Sequence, residues 1–252
     1  MNNKYYIYSF YRFKELNKIK KIKLKLDQYL TTKIVRGTIL LANEGINGSL
    51  AASKKDLDDI IRFIKKDLLN IRKLEIKVNE TGFLPFNKIK VRLKKEIVTL
   101  GKGKIDIKKR GTPINPVQWN NLIQDKKTII IDVRNQFEID IGNFKSAINP
   151  NTNSFREFPK NFKKLNLNKN SQIAMYCTGG IRCEKASSYL RSEGYKKIFQ
   201  LNGGIINYLK EFGTKNKNCH WDGECFVFDD RVTIDKKLKK GKYIQCYGCG
   251  HP

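Results

Sequence analysis

Tyr176-Cys177-Thr178-Gly179-Gly180-Ile181-Arg182-Cys183-Glu184-Lys185 starts on the last residue of an apolar run, Ile173 to Tyr176, and passes into a helical pattern. A cysteine between a strand end and a helix start faces several backbone N–H groups at once. Those groups and the helix dipole favour an anion, so Cys177 is expected as a nucleophilic thiolate. Gly179 and Gly180 let the backbone bend until the amides converge on one point. Arg182 adds a permanent charge with planar donors. The plainer alternative is a structural cysteine beside a glycine turn. A bare Cys-x-x-Gly would favour that alternative; the complete run, closed by an arginine, favours function. Cys183, at the expected helix start, is open to two readings: a resolving thiol for an oxidised or persulfidated Cys177, or a small residue packed beneath the loop.

Outward from this loop the pattern is α/β. Thr128 to Val133 is a near-continuous apolar strand, as buried parallel strands are. Gln172 to Tyr176 and Ile198 to Leu201 read as further strands. Helices are expected from Trp119 to Ile123, Phe162 to Leu167, Cys183 to Glu193 and over 205–212. Strands alternating with helices imply a parallel sheet covered on both faces, with its site at the carboxyl ends of the strands, where Cys177 falls.

The first hundred residues differ. Residues 5–13, YYIYSFYRF, read as a strand, and Leu16, Ile19, Ile22, Leu26 and Leu30 mark a helix. Ile34 to Ala42 is a second strand. The turn Asn43-Glu44-Gly45-Ile46-Asn47-Gly48 leads into a short third strand, Ser49 to Ala52. Ser53 caps a helix carrying Leu57, Ile60, Ile61 and Ile64, and Leu74 to Val78 is a fourth strand. The order βαββαβ is the split-βαβ, or ferredoxin-like, plan. Ile89 to Leu100 adds further strand material. The division expected is a ferredoxin-like domain over 1–100, a Gly-, Lys- and Pro-rich linker over 101–116, a parallel-sheet α/β domain over 117–215 and a cysteine-bearing tail over 216–252.

The formal net charge of +27 invites a nucleic-acid partner. However, the 40 Lys against 11 Arg, with abundant Ile and Asn, also fit a general drift in composition. Residues 1–100 carry 23 basic and 10 acidic side chains, so the charge is spread out and supports a nucleic-acid role without deciding it. No apolar run approaches the ~18–20 residues of a membrane span. The N-terminus has no secretory pattern, which points to the cytoplasm. The six cysteines begin only at position 177, unlike a secreted disulfide scaffold, and suit reactive or metal-binding thiols in a reducing compartment.

Only Thr178, Gly179, Gly180 and Ile181 separate Cys177 from Arg182, one residue fewer than a cysteine phosphatase uses to wrap phosphate. The smaller ring suits a single sulfur atom, and the run resembles the active loop of rhodanese-type domains. Ile131-Asp132-Val133-Arg134, then Glu138, Gly142 and Ala147-Ile148-Asn149-Pro150, resemble the upstream rhodanese pattern, and Gly203-Gly204 its late glycine pair. Asn143 stands where that family often has His. Asp132 and Arg134 are expected either to shape the site or to form a fold-holding ion pair. The combination of Ala42-Asn43-Glu44-Gly45-Ile46-Asn47-Gly48, the Cys177 run and Gly223-Glu224-Cys225-Phe226-Val227-Phe228-Asp229-Asp230-Arg231-Val232 is similar, over nearly the whole chain, to the bacterial tRNA uridine(34) hydroxylases.

That resemblance implies oxygen-dependent 5-hydroxylation of the wobble uridine, with tRNA as partner and no stable protein partner. Cys177 would be the reactive centre, Arg182 its electrostatic support and Cys183 a further catalytic candidate. Thr178, Gly179, Gly180, Glu44 and Asn47 would contact substrate. For Glu44 and Asn47 a tight turn is the structural alternative. Tyr5, Tyr6, Tyr8 and Tyr11 offer base stacking, or else a strand half in the core. A plain sulfurtransferase carrying a persulfide on Cys177 is the alternative activity, and a binding module with a vestigial loop a third reading, opposed by the intact Cys177 and Arg182. No flavin, haem or facial-triad pattern is evident, and no cofactor is expected. Cys219, Cys225, Cys246 and Cys249 are weak zinc candidates: Cys246-x-x-Cys249 is half of a common site, but the spacing of Cys219 and Cys225 is loose. Related chains often continue with more cysteines, so the tail is also readable as a remnant that no longer closes a metal site.

Overall fold

The computed structural model describes residues 4–215, 218–248 and 250–252. The chain divides into two compact units, Met1–Thr99 and Leu100–Pro252. Among the described residues no helix is long and apolar enough to cross a membrane.

The first unit runs β1 (Tyr5–Phe13), α1 (Ile19–Thr31), β2 (Arg36–Ala42), β3 (Gly45–Ala52), α2 (Lys54–Phe63) and β4 (Glu75–Thr81). Its sheet has the order β4-β1-β3-β2, the ferredoxin-like arrangement, and β5 (Ile89–Leu93) adds a parallel strand beside β2. Ser53 Oγ accepts from the Asp56 amide and starts α2, whose Leu57, Ile60 and Ile61 join Leu26 and Leu30 of α1 in the core. Tyr8 and Tyr11 are buried and Tyr5 and Tyr6 half-buried, so β1 spends much of its aromatic surface on the fold.

β3 begins at Gly45, four residues before the expected start, and the hairpin turn is only Asn43-Glu44. The glycines mark close packing inside a strand. A Cβ on Gly45, at φ +149°, would lie 2.1 Å from the Arg12 carbonyl oxygen, and one on Gly48 would lie 2.7 Å from the Phe10 ring.

The second unit contains β6 (Thr112–Ile114), α3 (Pro116–Gln124), β7 (Thr128–Asp132), α4 (Gln136–Ile139), β8 (Gly142–Phe144), α5 (Phe158–Lys163), β9 (Gln172–Tyr176), α6 (Ile181–Ser192), β10 (Lys197–Leu201) and α7 (Gly204–Phe212). The sheet is parallel, ordered β6-β10-β9-β7, as expected of a rhodanese-like domain. The end of the expected linker is therefore structured. Thr112–Ile114 forms the edge strand β6, where a proline is tolerated, and Asn115 with Gln118 builds a capping box at the start of α3.

The cysteine-bearing tail expected over 216–252 contains strands that join the second unit. β11 (Trp221–Gly223) pairs with β8, and β12 (Cys225–Phe226) pairs with β13 (Thr233–Ile234). Trp221, Cys225, Val227 and Ile234 enter the same core as Trp119 and Tyr176. Aromatic burial of this size accounts for the docking.

Candidate active site

Cys177 lies one residue beyond β9, and Gly180, at φ +96°, caps α6. The loop between them is held from outside. The amides of Ile205 and Ile206, in the first turn of α7, donate to the carbonyls of Cys177 and Thr178 at 3.0 and 3.2 Å. Gly204 permits this approach: it sits at φ +68°, and a Cβ there would lie 2.4 Å from the Cys177 carbonyl oxygen. With those carbonyls fixed to α7, the Gly180 amide donates to Cys177 Sγ at 3.1 Å, and the Cys183 amide donates to the same sulfur. Gly203-Gly204, noted in the sequence only as a resemblance, thus has a direct structural task.

Burial pushes the Cys177 thiol up. The hydrogen bond from the Cys183 thiol, the Arg182 charge and the amides of Cys183 and Gly180 outweigh it and bring the group down to about 5. Cys183 moves the opposite way. Its own burial, and the negative sulfur it donates to, hold its thiol well above the ordinary range. The two buried thiols are thus driven in opposite directions, Cys177 toward the thiolate and Cys183 toward the neutral thiol. Cys177 is only 1% exposed, so its sulfur sits within the loop and not on an open surface.

Arg182 does not face the sulfur alone. Its Nη1 and Nη2 donate to Glu138 Oε2 and Oε1 at 2.5 and 2.7 Å, a bidentate buried pair. Nη2 also donates to Thr178 Oγ1 at 3.2 Å, and that hydroxyl in turn donates to Glu138 Oε1 at 3.2 Å. Burial alone would raise the Glu138 carboxyl; the Arg182 charge and hydrogen bonds overcome this and hold it below the usual carboxylate value. Part of the Arg182 charge is therefore spent on Glu138. In the sequence this carboxylate stands out only as part of an upstream pattern. The capping motif Asn135-x-x-Glu138 and the need of a buried guanidinium for a counter-charge were the signals available.

Asp132 and Arg134 form the fold-holding pair. Arg134 Nε and Nη2 bind Asp132 at 2.6–3.2 Å, while Nη1 and Nη2 reach the carbonyls of Glu138 and Gly142 at 3.1 and 2.7 Å. Both side chains are fully buried. The guanidinium lies over the rings of Tyr176 and Trp221. It ties β7 to α4 and β8.

In the first unit, Glu44 Oε1 accepts from the Ile97 amide at 2.7 Å, and Asn47 Nδ2 donates to the Ile97 carbonyl at 3.0 Å. The two side chains clamp buried Ile97 against the β2–β3 hairpin.

The zinc candidates are dispersed in character. Cys225 is buried in the apolar core, which raises its thiol to about 12. Cys219 is half-buried and Cys246 exposed. Cys249 lies outside the described residues. Among the described residues no three His, Cys, Asp or Glu side chains gather as a metal site.

Comparison with known proteins agrees with the two-part build. Residues 5–97 match the UPF0176 acylphosphatase like domain, and residues 115–211 match the Rhodanese-like domain. A rhodanese-related protein of known structure from Thermoplasma volcanium is 26% identical, covers 40% of this chain and 92% of its own, and has a TM-score of 0.35. Curated relatives extend over both units. The tRNA uridine(34) hydroxylase of Pelagibacter ubique is 46% identical across 98% of this chain and 80% of its own. That of a Picosynechococcus species is 44% identical across 98% and 82%. With both domains matched in order and the likeness running nearly end to end, the chain belongs to the tRNA uridine(34) hydroxylase family.

Proposed function

We propose that this protein hydroxylates C5 of uridine 34 in tRNA, in the cytoplasm and with O₂ as oxidant, and that Cys177 is its reactive centre. The substrate and the reaction rest on relatives of that activity matching nearly the whole chain. The assignment of the reactive atom rests on one observation: a buried sulfur that accepts hydrogen bonds from two amides and a neighbouring thiol, and so stays anionic far below the ordinary thiol range. Thr178, Gly179 and Gly180, the residues of the loop that follows Cys177, are assigned to contact the substrate base. Glu44 and Asn47 contribute through the hairpin they brace. A second reading, sulfur transfer through a Cys177 persulfide, is favoured by the short loop, which encloses a single sulfur more readily than a larger anion.

The deciding experiment incubates the purified protein with unmodified tRNA, with and without O₂, and digests the product for nucleoside mass spectrometry. Oxygen-dependent 5-hydroxyuridine at position 34 is expected. Its absence, together with thiocyanate formation from thiosulfate and cyanide, would replace hydroxylation by sulfur transfer.

A further inference from the structure

The motif Gly223 to Val232 has no part in the chemistry described so far, yet it places one side chain beside Arg182, the residue that closes the Cys177 loop. Phe228 stands at the tip of the β12–β13 hairpin and is 66% exposed. A lone exposed phenylalanine is ordinary; this one is held in place and has a specific neighbour. Its hairpin is closed by Val227 N to Val232 O at 2.9 Å and Val232 N to Asp229 O at 2.8 Å. A buried bidentate pair, Arg231 with Asp229 at 2.7 Å through both Nε and Nη2, fixes the tip. Phe226 braces the Phe228 ring at right angles, with centroids 5.0 Å apart, and Phe137 braces Phe226 in the same way at 5.1 Å. The Arg182 guanidinium carbon lies 5.9 Å from the Phe228 ring centroid. Two consecutive residues of α4 thus set this juxtaposition: Glu138 grips Arg182, and Phe137 supports the aromatic row that ends in Phe228.

A rigid, solvent-facing ring beside a guanidinium that reaches into the reactive loop matches what a single unpaired base requires. An unstacked base loses its neighbours and recovers that energy on an aromatic face, while its polar edge finds donors. We propose that Phe228 is the platform on which the uracil ring of the target nucleotide stacks, beside Arg182, as it enters the Cys177 site. This assignment rests on the reading of the protein as a tRNA uridine hydroxylase.

The test measures binding of a short anticodon stem-loop, anaerobically, by fluorescence anisotropy. Uridine at position 34 is compared with an abasic ribose there, for wild type, Phe228→Ala and Phe228→Trp. Stacking of a base on an aromatic side chain is worth a factor of about 5 to 150 in affinity. Wild type and Phe228→Trp are expected to prefer uridine over the abasic loop by about that factor, and Phe228→Ala to show a ratio near one. An unchanged ratio in Phe228→Ala, or no preference in wild type, overturns the platform. An unaltered thiolate titration of Cys177 in Phe228→Ala shows that the loop is intact. The two readings fail separately: a wild type that makes 5-hydroxyuridine while Phe228→Ala keeps the full preference rejects the platform alone. A wild type that prefers uridine through Phe228 yet makes no 5-hydroxyuridine rejects the hydroxylase reading alone.

Discussion

Cys177 and Cys183 show how a few dipoles divide two identical side chains into opposite states. The fold favours the ionised form of Cys177, so between the ordinary thiol value of 9.0 and about 5 this group adds stability that is complete at the upper end and lost as pH falls through 5. Thiolate absorbance near 240 nm should therefore persist in the folded protein down to about pH 5 and vanish in Cys177→Ser; a midpoint close to 9 contradicts the site geometry. Glu138→Gln removes a negative charge near the sulfur and leaves the Arg182 guanidinium uncompensated, so the Cys177 midpoint should move below that of wild type. A rise would mean that Arg182 swings out of the site once its partner is gone. At this scale the sequence was informative for Cys177, because its surroundings are local. The Glu138 role was obscured because its partner lies 44 positions away in the chain and no spacing rule connects the two.

Among the elements, α7 does more than cover the sheet, since its first turn orients the reactive loop by holding two carbonyls. Gly204→Ala introduces a Cβ 2.4 Å from the Cys177 carbonyl oxygen at a left-handed φ. It should cost about 1–3 kcal/mol in urea denaturation and raise the midpoint of the Cys177 thiolate; wild-type values for both would detach α7 from the loop. The βαββαβ order and the parallel sheet were legible because hydrophobic period and strand–helix alternation are robust signals. The onset of β3 was not, since Gly45 and Gly48 carry the composition of a turn while serving close contact inside a strand. The expected linker hid β6 for a related reason: an edge strand of three residues with a central proline has almost no periodicity to detect. The docking of β11 onto β8 depends on pairing between distant segments, which local composition does not encode.

For the molecule as a whole, the +27 charge is a property of both units and suits a long polyanion better than a small anion. Affinity for tRNA should fall at least about tenfold between 50 and 200 mM salt, as expected when several phosphate contacts release counterions; salt-independent binding in a filter or anisotropy assay would remove the backbone from the interface. The uridine preference ascribed to Phe228 should change far less over the same range, because stacking is only weakly screened. Above these details stands the claim that one thiolate carries the reaction. The most direct measurement is nucleoside mass spectrometry of tRNA treated under O₂ with wild type and with Cys177→Ser, each first shown to be folded. The account predicts 5-hydroxyuridine at position 34 with wild type and none with Cys177→Ser; equal product from the two proteins would contradict it.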